Sequence, residues 1–304
     1  MKHKVLILCA LSFLSACSRH TDKLDTYPNS EKTEQSAKVM KIPGKKSFGN
    51  VFLSNLQENL DGRGISLEQF CNLNDEIEST IIREYGSVYL ASPVKVRIPS
   101  VCFFKTEQEV MEFQSSTPST SAQVAGALIE LQIEAMNAYL AARSEAQSLG
   151  LDITPRGGSE AAKRSFADTV RLWNSRFEPA CNYWMKKGKL TKEKVDYLKS
   201  LNIREQVKEV LDLERQGIFF NTYFNGHILR SVAAPGTSQH LLMSALDINE
   251  YSHERIRKIM NKYGWFRTVR NDEPHFTFLG RDEGELESLG LKKVDGDFWV
   301  PDLP

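Results

Sequence analysis

His240 and Asp247 stand seven residues apart in "PGTSQHLLMSALDINE", residues 235–250, and a second histidine follows in "RNDEPHFTFLG", at His275. Between His240 and Asp247 lies an apolar run that reads as a strand. A carboxylate inside such a strand is costly unless a metal or a hydrogen-bond network compensates it. Alternation puts Ala245, Asp247 and Asn249 on one face and Leu246 and Ile248 on the other, which suits a core. In the later strand His275 and Thr277 share a face, while Phe276 and Phe278 share the opposite one. If the two strands pair, His275 stands beside Asp247, and His240, in the entry loop, folds back toward the same cleft. Two imidazoles and one carboxylate suit Zn²⁺ with a position left for water. Asp272 and Glu273, just upstream of His275, are the candidate proton acceptors. Together these are the parts needed to hydrolyse a peptide bond.

The elements that must position these residues are mixed. "SLEQFCNLNDEIESTIIREYG" has helical rhythm, and "VKVRIPSVCFF" alternates at Val94, Val96 and Ile98 like a strand. "QSSTPSTSA" reads as a link that caps a long helix from Ala122 to about Leu149, with "LDIT" as a short strand after Gly150. Pro155 to Gly158 then form a turn, Ser159 caps the next helix, and Phe166, Val170 and Trp173 give that helix an apolar stripe. Residues 191–216 are helical and rich in Lys and Glu. Beyond residue 217 the pattern turns to β with one helix, "SHERIRKIMNKYG", capped at Ser252 and stopped at Gly264. The expected class is α+β, with helices packed around a small antiparallel sheet that bears the site.

The start of the chain implies export. Lys2 and Lys4 precede an apolar run from Val5 to Leu14, too short to span a bilayer, and Leu14-Ser15-Ala16-Cys17 has the form of a bacterial lipobox. Acylation at Cys17 would hold the protein at a membrane. Ser18 in the following position favours the periplasmic face of the outer membrane. Residues 1–17 are thus expected to be a lipoprotein signal, 18–48 a polar tether, 49–115 an accessory segment and 116–304 the domain that carries the site. With export, Cys71 and Cys102 are the expected disulfide and Cys181 the thiol left over. Lys and Arg number 39 and Asp and Glu 39, a neutral balance over 304 residues that gives no support to nucleic-acid binding.

The pattern Ser238-x-His240, then Ala245-x-Asp247, then an acid and a histidine before an aromatic strand, resembles the LAS-type zinc peptidases. These include the vancomycin-resistance type D-alanyl-D-alanine carboxypeptidases and dipeptidases. The resemblance spans roughly residues 120–280. It implies His240, Asp247 and His275 as zinc ligands, Ser238 at the substrate, and an arginine that opens a helix and helps bind substrate. Arg156, in "ITPRGGSEAAKRSF", takes that place, with Arg230 as a second candidate. It further implies a zinc-dependent D,D-carboxypeptidase acting on peptidoglycan stem peptides. A murein endopeptidase or a wall-binding lipoprotein without turnover are the rival readings. Two positions depart from the pattern. Met243 stands where the family has Gly, and Asp272 stands where it has the basic Glu, with Glu273 one place off.

Overall fold

The structure is a computed structural model that describes residues 50–304. The signal, Cys17 and the tether to residue 48 lie outside the described residues. The class is α+β. In chain order the elements are α1 (Val51–Asp61), α2 (Leu67–Phe70), α3 (Glu76–Tyr85), α4 (Glu107–Ser116), β1 (Ser119–Val124), β2 (Ala127–Gln132), α5 (Ile133–Ser148), α6 (Phe166–Lys186), α7 (Lys192–Ser200), α8 (Ile203–Arg215), β3 (Ala245–Asp247), α9 (Glu254–Lys262), β4 (Trp265–Phe266), β5 (His275–Phe278), β6 (Leu291–Val294) and β7 (Phe298–Pro301).

Local chemistry accounts for the helix starts. Asp75 accepts from two backbone amides at the head of α3, and Thr106 caps α4. Ser165 and Asp168 form a reciprocal capping box at the start of α6, so the helix begins there and not after Ser159, whose stretch Gly158–Ala161 is a single 3₁₀ turn. The cap of α9 falls at His253, one residue later than Ser252.

Three further sequence expectations are corrected. The helix expected from Ala122 is a β-hairpin followed by α5. Ala125 and Gly126 both take positive φ, the conformation of a tight hairpin turn, and burial alternates along β2, with Ile129 and Leu131 inside and Leu128 exposed. The run around Val94 to Ile98 joins no sheet, and Val94 is exposed while Val96 and Ile98 are buried. Pro99 has no N–H to give, and Arg97 instead exchanges both backbone hydrogen bonds with the side-chain amide of Gln132. "LDIT" likewise supplies only an isolated bridge, Pro155 to Ile248.

The site rests on a three-stranded sheet of order β3-β5-β4, all antiparallel, with Asp247 directly opposite His275. Phe276, Leu246 and Ile248 face the core with Trp265 and Phe266, all fully buried. The expected accessory segment shares that core. Tyr85 of α3 donates its hydroxyl to Leu229 O, and Gln239 donates to Tyr85 O. Phe104 and Gly236 are hydrogen-bonded so closely that a Cβ on Gly236 would lie 2.0 Å from Phe104 O. This glycine, at φ +83°, lets the chain enter the site under the 49–115 segment. Cys71 and Cys102 are joined as a disulfide within that segment, and Cys181 is a buried free thiol.

Candidate metal centre

The strand pairing brings Asp247 to His275, and the 3₁₀ turn Gln239–Leu242 brings His240 to both. His240 Nε2 lies 3.1 Å from His275 Nδ1, which in turn lies 3.1 Å from Asp247 Oδ1. His240 Nε2 is 3.3 Å from the same carboxylate oxygen. A four-coordinate zinc with ligands at 2.0–2.1 Å separates neighbouring ligand atoms by about 3.3 Å.

The other nitrogen of each ring is already committed. His240 Nδ1 is 2.7 Å from Ala162 O, a carbonyl that only accepts, so Nδ1 carries the proton. His275 Nε2 is 2.9 Å from Gln239 Oε1. The amide of Gln239 is fixed because its nitrogen donates to Tyr85 O and its oxygen accepts from Thr268 and Thr277. His275 Nε2 is therefore also the protonated nitrogen. What remains are His240 Nε2, His275 Nδ1 and Asp247 Oδ1, aimed at one another. Such a cluster can hold a cation, and its nitrogen and oxygen donors fit zinc.

Electrostatics set the charge states of His240 and Asp247. Burial, then the nearby Arg164 charge, lowers His240 from its ordinary 6.5 to about 4, so the ring is neutral at physiological pH. Burial alone would raise the Asp247 carboxyl, but its contacts with His240 and His275 outweigh that and hold it well below the usual range. A depressed imidazole means that the unfolded chain binds the proton more readily than the folded one. The contribution of His240 to the stability of the metal-free protein is therefore fully present above about pH 6.5 and lost as pH falls toward 4. Urea melts in chelator should show a loss of about 2 kcal/mol from this group between pH 7 and pH 5. A flat profile across that window would mean that His240 is not buried in its neutral form.

The site opens into a cavity of 180 Å³. Asp272, Ser238 and Arg230 line it with the three ligands; Arg156 and Glu273 do not. Glu273 is exposed and lines a separate groove with Arg257, Lys258 and Arg267. Burial raises the Asp272 carboxyl; His275 pulls it back and the Asp247 charge raises it further. Arg156 is exposed, with its guanidinium 5.6 Å from the centre of the Tyr251 ring, and only its backbone meets the site, donating to Asp247 O at 2.8 Å.

The arginine that the structure bonds to Asp247 is Arg164, which the sequence pattern did not single out. Its Nη2 donates to Asp247 Oδ2 at 2.6 Å, and its Nε to Glu160 O at 2.9 Å. The capping box at Ser165 was the signal that could have found it, since Arg164 immediately precedes the helix cap. Arg164→Ala should reduce metal affinity about 10–100-fold by freeing the ligand carboxylate, whereas Arg156→Ala should leave it within about twofold. Competition with a chromogenic chelator reads both. Tyr85 and Gln239 were also not foreseen, because their parts in the site depend on contacts 154 residues apart in sequence.

Met243 takes φ 53° and ψ 32°. The left-handed conformation that a Gly would supply is kept by a fully buried methionine, at a backbone cost of about 1–2 kcal/mol.

No protein-family model and no curated protein matches the chain. Among solved structures, it is similar to a crystal structure of a variant of the vancomycin-resistance D,D-pentapeptidase VanY, from a VanB-type resistance cassette, in complex with Zn(II). The identity is 16%, the match covers 55% of this chain and 82% of that one, and the TM-score is 0.32. A likeness of that size carries no weight for this chain's chemistry, which rests on the geometry above.

Proposed function

We propose that this protein is a zinc-dependent D,D-carboxypeptidase that removes terminal D-alanine from peptidoglycan stem peptides. The observation that carries the reading is the convergence of three candidate ligand atoms, from His240, Asp247 and His275, beside the half-buried Asp272. Those three residues would hold the ion. Zinc, when bound, polarises a carbonyl and lowers the pKa of water. Asp272 accepts the proton of the attacking water and delivers it to the leaving amine nitrogen, a task suited to a carboxyl whose pKa is raised by burial. Arg164 occupies Asp247 Oδ2, so the carboxylate presents Oδ1 to the two rings. Leu172, Leu229 and Val269 give the cavity apolar walls that limit water around these charges.

Purified zinc-loaded protein incubated with isolated murein should release free D-alanine, with each trimmed stem peptide lighter by that residue on mass analysis. Conversion of cross-linked dimers to monomers without D-alanine release would assign an endopeptidase instead. Bound zinc with unchanged murein would leave a wall-binding role. The reading also places the protein at the periplasmic face of the outer membrane through lipid on Cys17, supported by the lipobox at the end of a charged and then apolar start. Cys17→Ala should release it from the membrane fraction, and unaltered partitioning would remove the anchor from the account.

A further inference from the structure

We infer that Arg176 and Arg230 form a subsite for a substrate carboxylate beside the metal centre, so that the substrate is a peptide carrying that anion at a fixed offset from the scissile bond. The inference rests on the peptidase reading above and deepens it. Helix α6 turns Thr169, Leu172 and Arg176 toward the cavity, a spacing of three and then four residues that lies along one helical face. The three cavity arginines differ in their partners. Arg164 is neutralised by Asp247. Arg176 finds only hydroxyls, with Nε donating to Ser231 Oγ at 2.9 Å and Nη1 to Ser175 Oγ at 2.9 Å. The Arg230 side chain has no hydrogen-bond or ion-pair partner among the described residues, and neither Arg176 nor Arg230 has a carboxylate within 4.0 Å there. Several arginines elsewhere meet carboxylates, Arg143 with Asp152, Arg204 with Asp75 and Glu78, and Arg267 with Asp297, while Arg63, Arg97 and Arg281 spend their donors on backbone carbonyls.

The backbone that presents Arg230 is fixed from below. The buried Glu214 carboxylate accepts from Phe220 N at 3.0 Å and from Ile228 N at 2.7 Å, pinning both ends of the loop before Arg230. Ser231 ties the same loop to Arg176 on α6. Arg176 is thus held on one cavity wall by hydroxyls, and the exposed Arg230 side chain extends from a pinned loop beside it, neither with an anion of its own. A guanidinium matches a carboxylate with two parallel N–H donors, and a pair of them selects an anionic group over its neutral amide. In a stem peptide that anion is either the terminal carboxylate or the side-chain carboxylate of a diamino acid nearer the glycan. The chemistry is shared, and the two sources are separable by experiment.

The test is calorimetric binding to zinc-loaded protein carrying Asp272→Asn, so that peptides survive the titration. The probes are a diaminopimelate-D-Ala-D-Ala peptide as the free acid, the same peptide amidated at its C-terminus, and the same peptide amidated only on the diaminopimelate carboxylate. One of the two amidations should weaken binding about tenfold or more, the size of a lost charge-assisted hydrogen bond. Dependence on the terminal group makes the subsite a reader of chain ends, and dependence on the side chain makes it a reader of the third residue. With Arg176→Gln and Arg230→Gln combined, acid and amide should bind alike. If neither amidation matters in the parent, or if the preference survives in the double variant, the subsite is wrong while the peptidase reading stands. If no peptide binds in any form, both fall.

Discussion

His240→Ala should lose nearly all bound zinc and all peptidase activity. The expectation follows from what His240 contributes: one lone pair at Nε2, locked toward His275 and Asp247 because Nδ1 donates to Ala162 O. Removing it leaves one imidazole and one carboxylate oxygen. Loss of an outer hydrogen bond to a ligand already costs 10–100-fold in affinity, so loss of the ligand itself should cost at least about 100-fold. The fold should survive, since Leu241, Leu242 and Leu246 hold the surrounding backbone in the core, although the orphaned Ala162 carbonyl subtracts about 1–3 kcal/mol. Metal content after dialysis and a circular-dichroism spectrum separate the two effects. Full zinc and full activity in this variant would remove the site as a whole.

Asp272→Asn should give the opposite pairing, with zinc retained and turnover reduced by roughly 10²–10⁴-fold. Asp272 is not among the three converging atoms, so its loss leaves the ligands intact. The amide keeps the shape of the carboxyl but cannot take a proton from water. Glu273→Gln should be close to neutral, because that side chain lines the groove of Arg257 and Arg267 and not the cavity of the ligands. The two variants, assayed for D-alanine release and for zinc side by side, fix which acid is the base. A dead Glu273→Gln with a fully active Asp272→Asn would move the role by one residue and would demand a rearranged loop between Val269 and His275.

Much of the arrangement of the candidate site was legible because strand geometry is strict. Alternation set Leu246 and Ile248 inward and turned Asp247 the other way, and the same rule put His275 with Thr277. The register then left little freedom, since Asp247 pairs directly with His275. The same face at Ala245 did not open to a cleft; it is fully buried against Thr277, so the cavity begins only at the Asp247 end. The arginine was harder. "PRGGSEAAKR" holds two, and the positive-φ pair Gly157 and Gly158 followed by a 3₁₀ turn redirects the chain so that the later one reaches Asp247. Composition alone does not encode that redirection, although the Ser165–Asp168 capping box marks where it ends. The β1–β2 hairpin was misread as helix because its apolar residues form one short run, although Ile129 and Leu131 carry the period of two that identifies a strand. Gln239, Tyr85 and Arg176 reach the site through tertiary contacts between distant segments, which no local pattern reports.

Zinc-edge anomalous diffraction from crystals of the zinc-loaded protein tests the central claim most directly. The account predicts a single strong peak bonded to His240 Nε2, His275 Nδ1 and Asp247 Oδ1, with Asp272 beside it and not bonded to it. No peak among those three atoms at full zinc, or a peak held by the opposite ring nitrogens, would contradict it.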